Sequence, residues 1–295
     1  MESSKNKDFS GELDLSKIKD FIGQNKKFIF YFVSIGTILF SIYAYSLPDQ
    51  FKSSAVLKVN SDSSSSQSIQ QYQGIASIIG IDVSSSSGVS KSDLALEILS
   101  SKSFIKHLLS LDDFSKQIVN ARGFDNETSK ILYKNSSVIG YDFLEVHEVY
   151  FNEMLDVSID KRNFIKVSIT HVSPIFSKSF LEFMITELNN LVKNQDMEEA
   201  SSSLNYLKLL LPNTKDIELK NSIAELMKSN LKIMTLTNIK DDYILEYVDH
   251  PFLPQEKDSP HRILIIIIGF LVSFFSAVTL LFIFSSIKEK GRESI

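Results

Sequence analysis

The sequence contains no cysteine, which excludes disulfide bonds, thiolate metal sites, iron–sulfur clusters and a cysteine nucleophile. This absence is compatible with both oxidising and reducing compartments. The chain also lacks an excess of basic residues, because 36 acidic residues outnumber 31 basic ones and the formal net charge is −5. Such a balance gives no electrostatic footprint for nucleic acid, so we expect no nucleic-acid partner.

The common catalytic and ligand-binding motifs are missing as well. No glycine is followed by lysine, which excludes a P-loop, and the chain has no His-Glu-x-x-His, Gly-x-Ser-x-Gly or EF-hand pattern. The acidic segment 141–148 is typical of a solvated stretch more than of paired catalytic carboxylates. The five histidines lack the i,i+4 spacing of a helical metal pair and are interpreted as surface or strand-end residues: His107, His147, His171, His250 and His261. We therefore predict a protein that is not an enzyme and needs no cofactor or metal.

Charge is absent from two long stretches, residues 28–47 and 263–286. Each has at least the roughly 20 residues that a helix needs to cross about 30 Å of hydrocarbon, so both are predicted to be transmembrane helices. A cleaved signal peptide is the alternative for the first stretch, but its apolar core exceeds the usual ~7–15 residues. A buried helix of a soluble protein is the alternative for the second.

The flanks of the two spans predict their orientation. The tails 1–27 and 287–295 are short and rich in lysine, and short basic flanks stay in the cytoplasm. We expect both tails to be cytoplasmic and residues 48–262 to be translocated as one large domain.

Within that domain, alternating apolar residues predict strands over 51–59, 155–160, 164–171 and 243–249. The second and third are close enough to form an antiparallel hairpin. These strands predict a mixed-sheet base over about 48–172 and 241–262. A helix is expected to begin near Ser92 and to be broken near Ser100 and Ser101.

A long helix is predicted to begin at Ser173 and Pro174. Serine can accept hydrogen bonds from free amides as an N-cap, and proline in the first turn has no amide to leave unpaired. No proline or glycine follows until Pro212, which allows about 37 helical residues. A second helix to about Ile239 would complete a helical hairpin over about 173–240, and it shows these apolar residues at helical spacing: Leu219, Ile223, Leu226, Leu231 and Met234. Part of the apolar stripe is left for contacts with other copies of the chain.

Two further patterns lie in and before the second span. Small residues recur every four positions at Gly269, Ser273 and Ala277, which favours close packing of two membrane helices. Three prolines, Pro251, Pro254 and Pro260, predict a semi-rigid extended arm that leads into the membrane.

Together these features resemble the polysaccharide chain-length determinant proteins, the Wzz type of polysaccharide co-polymerase. The resemblance covers most of the chain, although Lys257 stands where the family usually has a further proline. The residues that carry it, besides the two spans and the proline arm, are Gly74–Gly80, Leu96–Ser101, the hairpin from Val157 to Ile169, Ser173-Pro174 and Ser203–Leu207.

The resemblance implies an α+β membrane protein in which two transmembrane helices flank a periplasmic α/β base domain with a long extended helical hairpin. It implies a bacterial inner-membrane protein that forms homo-oligomeric rings and sets the chain length of O-antigen or a related lipopolysaccharide glycan. Its expected partners are copies of itself, a separate membrane polymerase, the lipid bilayer and, as a further candidate, the lipid-linked glycan.

Two other functions stay open at this point. One is a membrane adaptor for a polysaccharide exporter or a partner tyrosine kinase, although the C-terminal tail has no tyrosine. The other is a two-span sensor or periplasmic hydrolase.

Overall fold

The computed structural model describes residues 25–60, 91–134 and 140–293. Two compact units are formed, one within residues 1–48 and 259–295 and the other within residues 49–258. The segment Gly74–Gly80 and the serine-rich stretches beside it lie outside the described residues. In chain order the described elements are α1 (Lys26–Ser46), β1 (Phe51–Val59), α2 (Lys91–Ser100), α3 (Lys102–Leu111), α4 (Ser115–Asn120), β2 (Ala121–Asp125), β3 (Lys130–Tyr133), α5 (Phe143–Val149), β4 (Leu155–Ile159), β5 (Phe164–His171), α6 (Pro174–Leu210), α7 (Ile217–Ile239), β6 (Leu245–Asp249) and α8 (Arg262–Glu293).

The first unit pairs α1 with α8. Both helices are long and apolar enough to cross a membrane, α1 over its whole length and α8 over Arg262–Ile283. Buried Ile29 and Val33 of α1 form one cluster with Ala277 of α8. The guanidinium group of Arg262 donates hydrogen bonds to the carbonyl oxygens of Ala44 and Leu47, each at 3.3 Å. These bonds satisfy carbonyls at the end of α1 that have no partner within the helix.

The second unit is built on a four-stranded antiparallel sheet with the order β4-β5-β1-β6. The first and last strands of this domain, β1 and β6, are therefore neighbours in the sheet. The chain between them leaves the sheet and returns to it. The predicted β4–β5 hairpin is confirmed, with Val157 opposite Val167. Alternate residues of β1 and β5 are fully buried, as the alternation predicted: Ala55, Leu57, Ile165, Val167 and Ile169.

Helix α6 covers the buried face of the sheet, and its N-terminal half contributes Phe180, Leu181, Met184, Ile185 and Leu188 to the core. The helix has 37 residues, about 55 Å at 1.5 Å per residue. After a 3₁₀ turn at Leu211–Asn213, α7 runs back along the C-terminal half of α6. The fold class predicted from the sequence, two membrane helices with an α/β base and a long helical hairpin, is confirmed.

The apolar positions of α7 are not all buried. Ile223 is buried, but Leu219 and Leu231 are 46% and 50% exposed. The buried positions near the other end of α7 are instead polar, Asn230 and Thr237, which have side-chain partners on α6. The apolar spacing predicted the helix, and its contact face combines Ile223 with the polar residues Asn230 and Thr237.

The elements between β1 and β4 were only partly predicted. The break between α2 and α3 is where the sequence placed it, and the Ser101 side chain accepts a hydrogen bond from the Phe104 amide at 3.1 Å. The small β2–β3 hairpin was not predicted. The acidic segment 141–148 is mostly helical and its carboxylates are exposed, while Val146 and Tyr150 are fully buried beneath them.

Candidate functional site

The small-residue row of α8 lies against α1 of the same chain. A Cβ atom added at Gly269 would overlap the side chain of Phe40, and one added at Gly36 would overlap the side chain of Ser273. Ser273 and Ala277 are buried, at 5% and 0% exposure, although many of the described side chains of α8 are exposed. The row and Gly36 therefore form one close helix–helix contact, in which glycine allows the two backbones to approach.

The prolines of the arm divide between the two units. Pro251 and Pro254 are buried in the second unit, and Pro260 belongs to the first. Between the two buried prolines, the carbonyl oxygen of Phe252 accepts a hydrogen bond from the Ser53 hydroxyl of β1 at 2.9 Å. This bond ties residues 251–254 to the sheet, so this part of the arm is anchored.

Lys257, where the family usually has a further proline, is paired with the carboxylate of Asp49 at 3.4 Å. The next residue, Asp258, donates its amide to the carbonyl oxygen of Gln50 at 2.8 Å. An ion pair and a backbone hydrogen bond thus hold this part of the arm in place. A proline at position 257 would instead have restricted the backbone through its ring.

The start of the long helix is held by several groups at once. The Ser173 hydroxyl accepts a hydrogen bond from the Phe176 amide at 3.2 Å, and Pro174 occupies the first turn. His171 lies two residues before this cap and is 5% exposed. Its Nε2 donates to the carbonyl oxygen of Gln117 at 2.9 Å, and its Nδ1 accepts the Ser173 amide at 3.1 Å.

This arrangement requires a neutral imidazole in a single tautomer, since a protonated Nδ1 could not accept the Ser173 amide. Burial lowers the pKa of His171 to about 4, and the hydrogen bond to the Gln117 carbonyl opposes that shift. The ring also packs against Phe176, with 4.4 Å between the ring centroids. The histidine is therefore a buried structural group at the end of β5, which the sequence placed at a strand end without predicting its burial.

A second link joins α6 to the sheet edge. Asn189 is 2% exposed, and its Oδ1 accepts the amides of Ile244 and Leu245, each at 2.9 Å. Its Nδ2 donates to the carbonyl oxygen of Leu245, also at 2.9 Å. One amide side chain thus satisfies the backbone groups at the beginning of β6, which a neighbouring strand would otherwise have to pair.

The helical hairpin is held by a thinner set of contacts. Asn230 donates to the hydroxyl of Ser203 at 3.0 Å and to the carbonyl oxygen of Leu226 at 3.1 Å. At its base, Tyr243 donates to Asp196 at 2.7 Å, and burial together with this carboxylate raises the pKa of the tyrosine. Three large apolar side chains toward the hairpin turn are 62–75% exposed: Tyr206, Leu209 and Ile217.

Among the residues that the structure describes, no group of three or more histidine, aspartate or glutamate side chains is arranged to hold a metal ion. The features that stand out are helix contacts and an exposed apolar surface on the hairpin. These features define a class of protein, an α/β domain whose sequence lies between two helices that are long and apolar enough to cross a membrane.

A comparison with known protein families shows which of them the chain resembles. Residues 11–111 match the family described as Wzz, chain length determinant protein. The resemblance seen in the sequence is thereby confirmed over these residues, which make up about a third of the chain. This match and the two apolar helices near the ends of the chain support an inner-membrane protein with two spans.

Two solved structures are similar to the chain. One is a "full-length bacterial polysaccharide co-polymerase", with 11% identity and a TM-score of 0.41, covering 94% of this chain and 98% of that one. The other is a fragment of WzzB, a polysaccharide co-polymerase from Salmonella Typhimurium, with 12% identity and a TM-score of 0.30, covering 72% of this chain and 100% of that one. No curated protein sequence matches the chain.

Proposed function

We propose that the protein is a non-enzymatic regulator of the chain length of a surface polysaccharide, O-antigen or a related lipopolysaccharide glycan. It acts as a homo-oligomeric scaffold in the inner membrane, together with a separate membrane polymerase. The observation that carries this proposal is the match of residues 11–111 to the chain length determinant family. Co-polymerases of this family regulate polymer length instead of catalysing its synthesis.

Deletion of the gene tests the proposal. We expect the modal length of the surface polysaccharide to be lost, with the distribution on a gel becoming broad, and to be restored by a plasmid copy. An unchanged distribution would reject the proposal. Co-purification of the protein with an export ATPase in place of a polymerase would support the adaptor function instead.

We also propose that both termini are cytoplasmic and that residues 48–262 are periplasmic, since the lysine-rich tails favour this orientation. Protease added to sealed spheroplasts should cut the large domain and leave a tag on either terminus intact. Protection of the domain would contradict the orientation.

The exposed side chains Tyr206, Leu209 and Ile217 support assembly of several copies through the hairpin. Electron micrographs of detergent-solubilised particles should show rings for the parent. The variant Leu209→Arg should give smaller or fewer rings, whereas Lys208→Arg, at the neighbouring exposed position, should not change them. Monomeric particles of the parent would reject the oligomeric scaffold.

For the spans, we propose that the row Gly269, Ser273 and Ala277 is a packing surface. The variant Gly269→Leu should force α1 and α8 apart because its side chain meets Phe40. Cysteines introduced at Val33 and Ala277, which share one buried cluster, should crosslink efficiently in the parent and several-fold less in the variant.

The native chain has no cysteine, so this crosslink has no competitor. Val272→Leu is the matched control, because Val272 is 49% exposed. The same experiment, read between chains as an oligomer ladder, shows whether span packing also influences assembly. An unchanged crosslink and an unchanged ladder would contradict the packing surface.

A further inference from the structure

Two large apolar side chains are exposed on the arm that leads from β6 toward α8. Phe252 and Leu253, called here the apolar pair, are 58% and 49% exposed, although the prolines on either side of them, Pro251 and Pro254, are buried. Scattered single apolar side chains are common on protein surfaces, but two adjacent ones on a fixed backbone are a candidate contact surface. Neither the packing of the spans nor the surface of the helical hairpin involves them.

The backbone of the apolar pair is held by the sheet. The Phe252 carbonyl oxygen accepts the hydrogen bond from the Ser53 hydroxyl at 2.9 Å, and the rings of the two flanking prolines restrict the chain on both sides. The two side chains are therefore presented on an ordered segment, and contact with a partner costs little further backbone entropy.

The apolar pair belongs to the end of the domain from which both connections to the spans leave. Its partner Ser53 is in β1, whose first residue, Phe51, is only four residues after Leu47 at the end of α1. On the other side, the Asp258 amide is bonded to the residue before β1, and Asp258 is four residues before Arg262, where α8 begins. Four residues span at most about 14 Å when fully extended, so both tethers to the spans are short.

The end of α1 has the features of a membrane–water boundary. The helix has 21 residues, about 32 Å at 1.5 Å per residue, which matches the roughly 30 Å of the hydrocarbon layer. Tyr43 and Tyr45, in its last turn, are 57% and 70% exposed, and tyrosine is enriched at the level of the headgroups. The headgroup layer extends roughly 5–8 Å beyond the hydrocarbon, so the short tethers begin within it.

The charges around the apolar pair favour an apolar contact with lipid over attraction to anionic headgroups. Residues 249–258 contain three exposed acidic residues, Asp249, Glu256 and Asp258, and one exposed lysine, Lys257. A segment with excess negative charge is not attracted to anionic lipid. Phenylalanine and leucine, in contrast, are typical of the apolar surfaces that proteins bury at the boundary between headgroups and acyl chains.

We infer that the apolar pair is an interfacial anchor: Phe252 and Leu253 insert among the headgroups and upper acyl chains of the leaflet from which the domain emerges. The partner of this surface is the lipid bilayer and not a second copy of the chain. The inference rests on the proposed two-span topology and is independent of the role in polysaccharide length. A third attachment beside the two tethers would restrict the tilt of the domain on the membrane.

The experiment uses the absence of tryptophan from the chain, because a single introduced tryptophan then reports only its own surroundings. Phe252→Trp and, separately, Leu253→Trp are made in the full-length protein, which is reconstituted in vesicles of phosphatidylcholine with brominated acyl chains. We expect bromine to quench the fluorescence of both variants several-fold more strongly than that of Leu231→Trp.

Leu231→Trp is the matched control, because Leu231 is 50% exposed on α7. This helix leads into β6, whose first residue pairs with Val59, at the end of β1 opposite to Phe51. Phe275→Trp is the positive control, since Phe275 is 64% exposed within the span of α8 and should be quenched strongly. Weak quenching of Phe275→Trp would reject the two-span topology, whereas strong quenching of Phe275→Trp with weak quenching of both test variants would overturn the anchor alone.

Acrylamide, a quencher dissolved in the water, distinguishes the other surroundings. Quenching by brominated lipid together with protection from acrylamide supports the anchor. Protection of Phe252→Trp and Leu253→Trp from both quenchers would assign the surface to a second copy of the chain, and quenching by acrylamide alone would assign it to solvent; both results overturn the inference.

Lipid composition and salt test the apolar nature of the contact. Quenching by brominated lipid should be the same with and without phosphatidylglycerol, and the same at low and high salt, because no charge attraction is involved. Quenching that requires anionic lipid would overturn the apolar anchor.

Discussion

The two halves of α6 have the same backbone but are held in different ways. The N-terminal half is covered by the sheet and by α2–α5, and Leu181, Met184 and Leu188 are fully buried. The C-terminal half packs along α7, where Ala200, Leu204 and Leu207 are buried between exposed neighbours. Most of the stability of a helix in a protein comes from tertiary packing, so the two halves are expected to differ in stability. We call the N-terminal half of α6 the foot, and its C-terminal half together with α7 the extension. The foot is expected to be rigid and the extension to open more easily.

The largest expected loss of stability is for a substitution in the foot. Leu181→Ala should lower the free energy of unfolding by about 2–5 kcal/mol, because it removes a fully buried side chain and leaves a cavity. Leu204→Ala, in the extension, should cost about 2 kcal/mol or less because its surroundings can collapse. Urea unfolding of the full-length protein in detergent, followed by circular dichroism, measures both.

Leu209→Ala is the control for this pair, since Leu209 is 71% exposed and its loss should change stability by less than about 0.5 kcal/mol. Equal losses for Leu181→Ala and Leu204→Ala would contradict the difference between the two halves.

The next largest loss of stability is expected when the hydrogen bonds from Asn189 of α6 to the start of β6 are removed. Asn189→Ala would leave two amides and one carbonyl group at the start of β6 without their present partner. We expect a loss of about 3 kcal/mol, because buried unpaired groups cost about 1–3 kcal/mol each and water can replace part of the interaction. Asn190→Ala, which removes only a bond to Glu187 on the same helix, should be nearly neutral. Similar unfolding curves for the two variants would show that the link is unimportant.

Acid should lower the stability of the protein because His171, next to the start of the foot, becomes protonated. The folded protein holds this imidazole neutral with a pKa of about 4, whereas the unfolded chain takes up a proton near pH 6.5. Its contribution to stability is complete above about pH 6.5 and is lost as the pH falls to about 4. The loss should reach about 3 kcal/mol. Unfolding midpoints measured at several pH values should therefore fall more steeply for the parent than for His171→Asn.

His261→Asn serves as the control, because His261 is exposed and the variant should keep the steep dependence of the parent. Identical slopes for the parent and His171→Asn would show that the imidazole does not control the acid response.

The smallest effect is expected in the extension. Asn230→Leu replaces a polar contact with Ser203 by an apolar one, and we expect a change within about 1 kcal/mol in either direction. Hydrogen exchange should nevertheless become faster in α7, because the fixed pairing with α6 is lost. Asn238→Leu, at an exposed position with a bond only to its own helix, should leave exchange unchanged. A loss comparable to that of Leu181→Ala would contradict the comparison between foot and extension.

The sequence predicted well where one local signal was strong. Ser173 and Pro174 mark the start of α6, and the alternation in β1 and β5 identified the buried face correctly. Prediction from the sequence failed where hydrogen-bond partners come from distant parts of the chain. Nothing near Asn189 in sequence indicates that it pairs with β6, 55 residues away. The β2–β3 hairpin was likewise missed, because its strands are too short to be recognised from their pattern.

The ends of the domain are held side by side. The carboxylate of Asp49 lies 3.4 Å from the ammonium group of Lys257, and the Gln50 carbonyl accepts the Asp258 amide at 2.8 Å. A chain whose two ends already meet can be excised and closed into a loop by a short linker, or inserted into a turn of a carrier protein, with little loss of entropy. The same closeness would allow new termini to be opened at the hairpin tip.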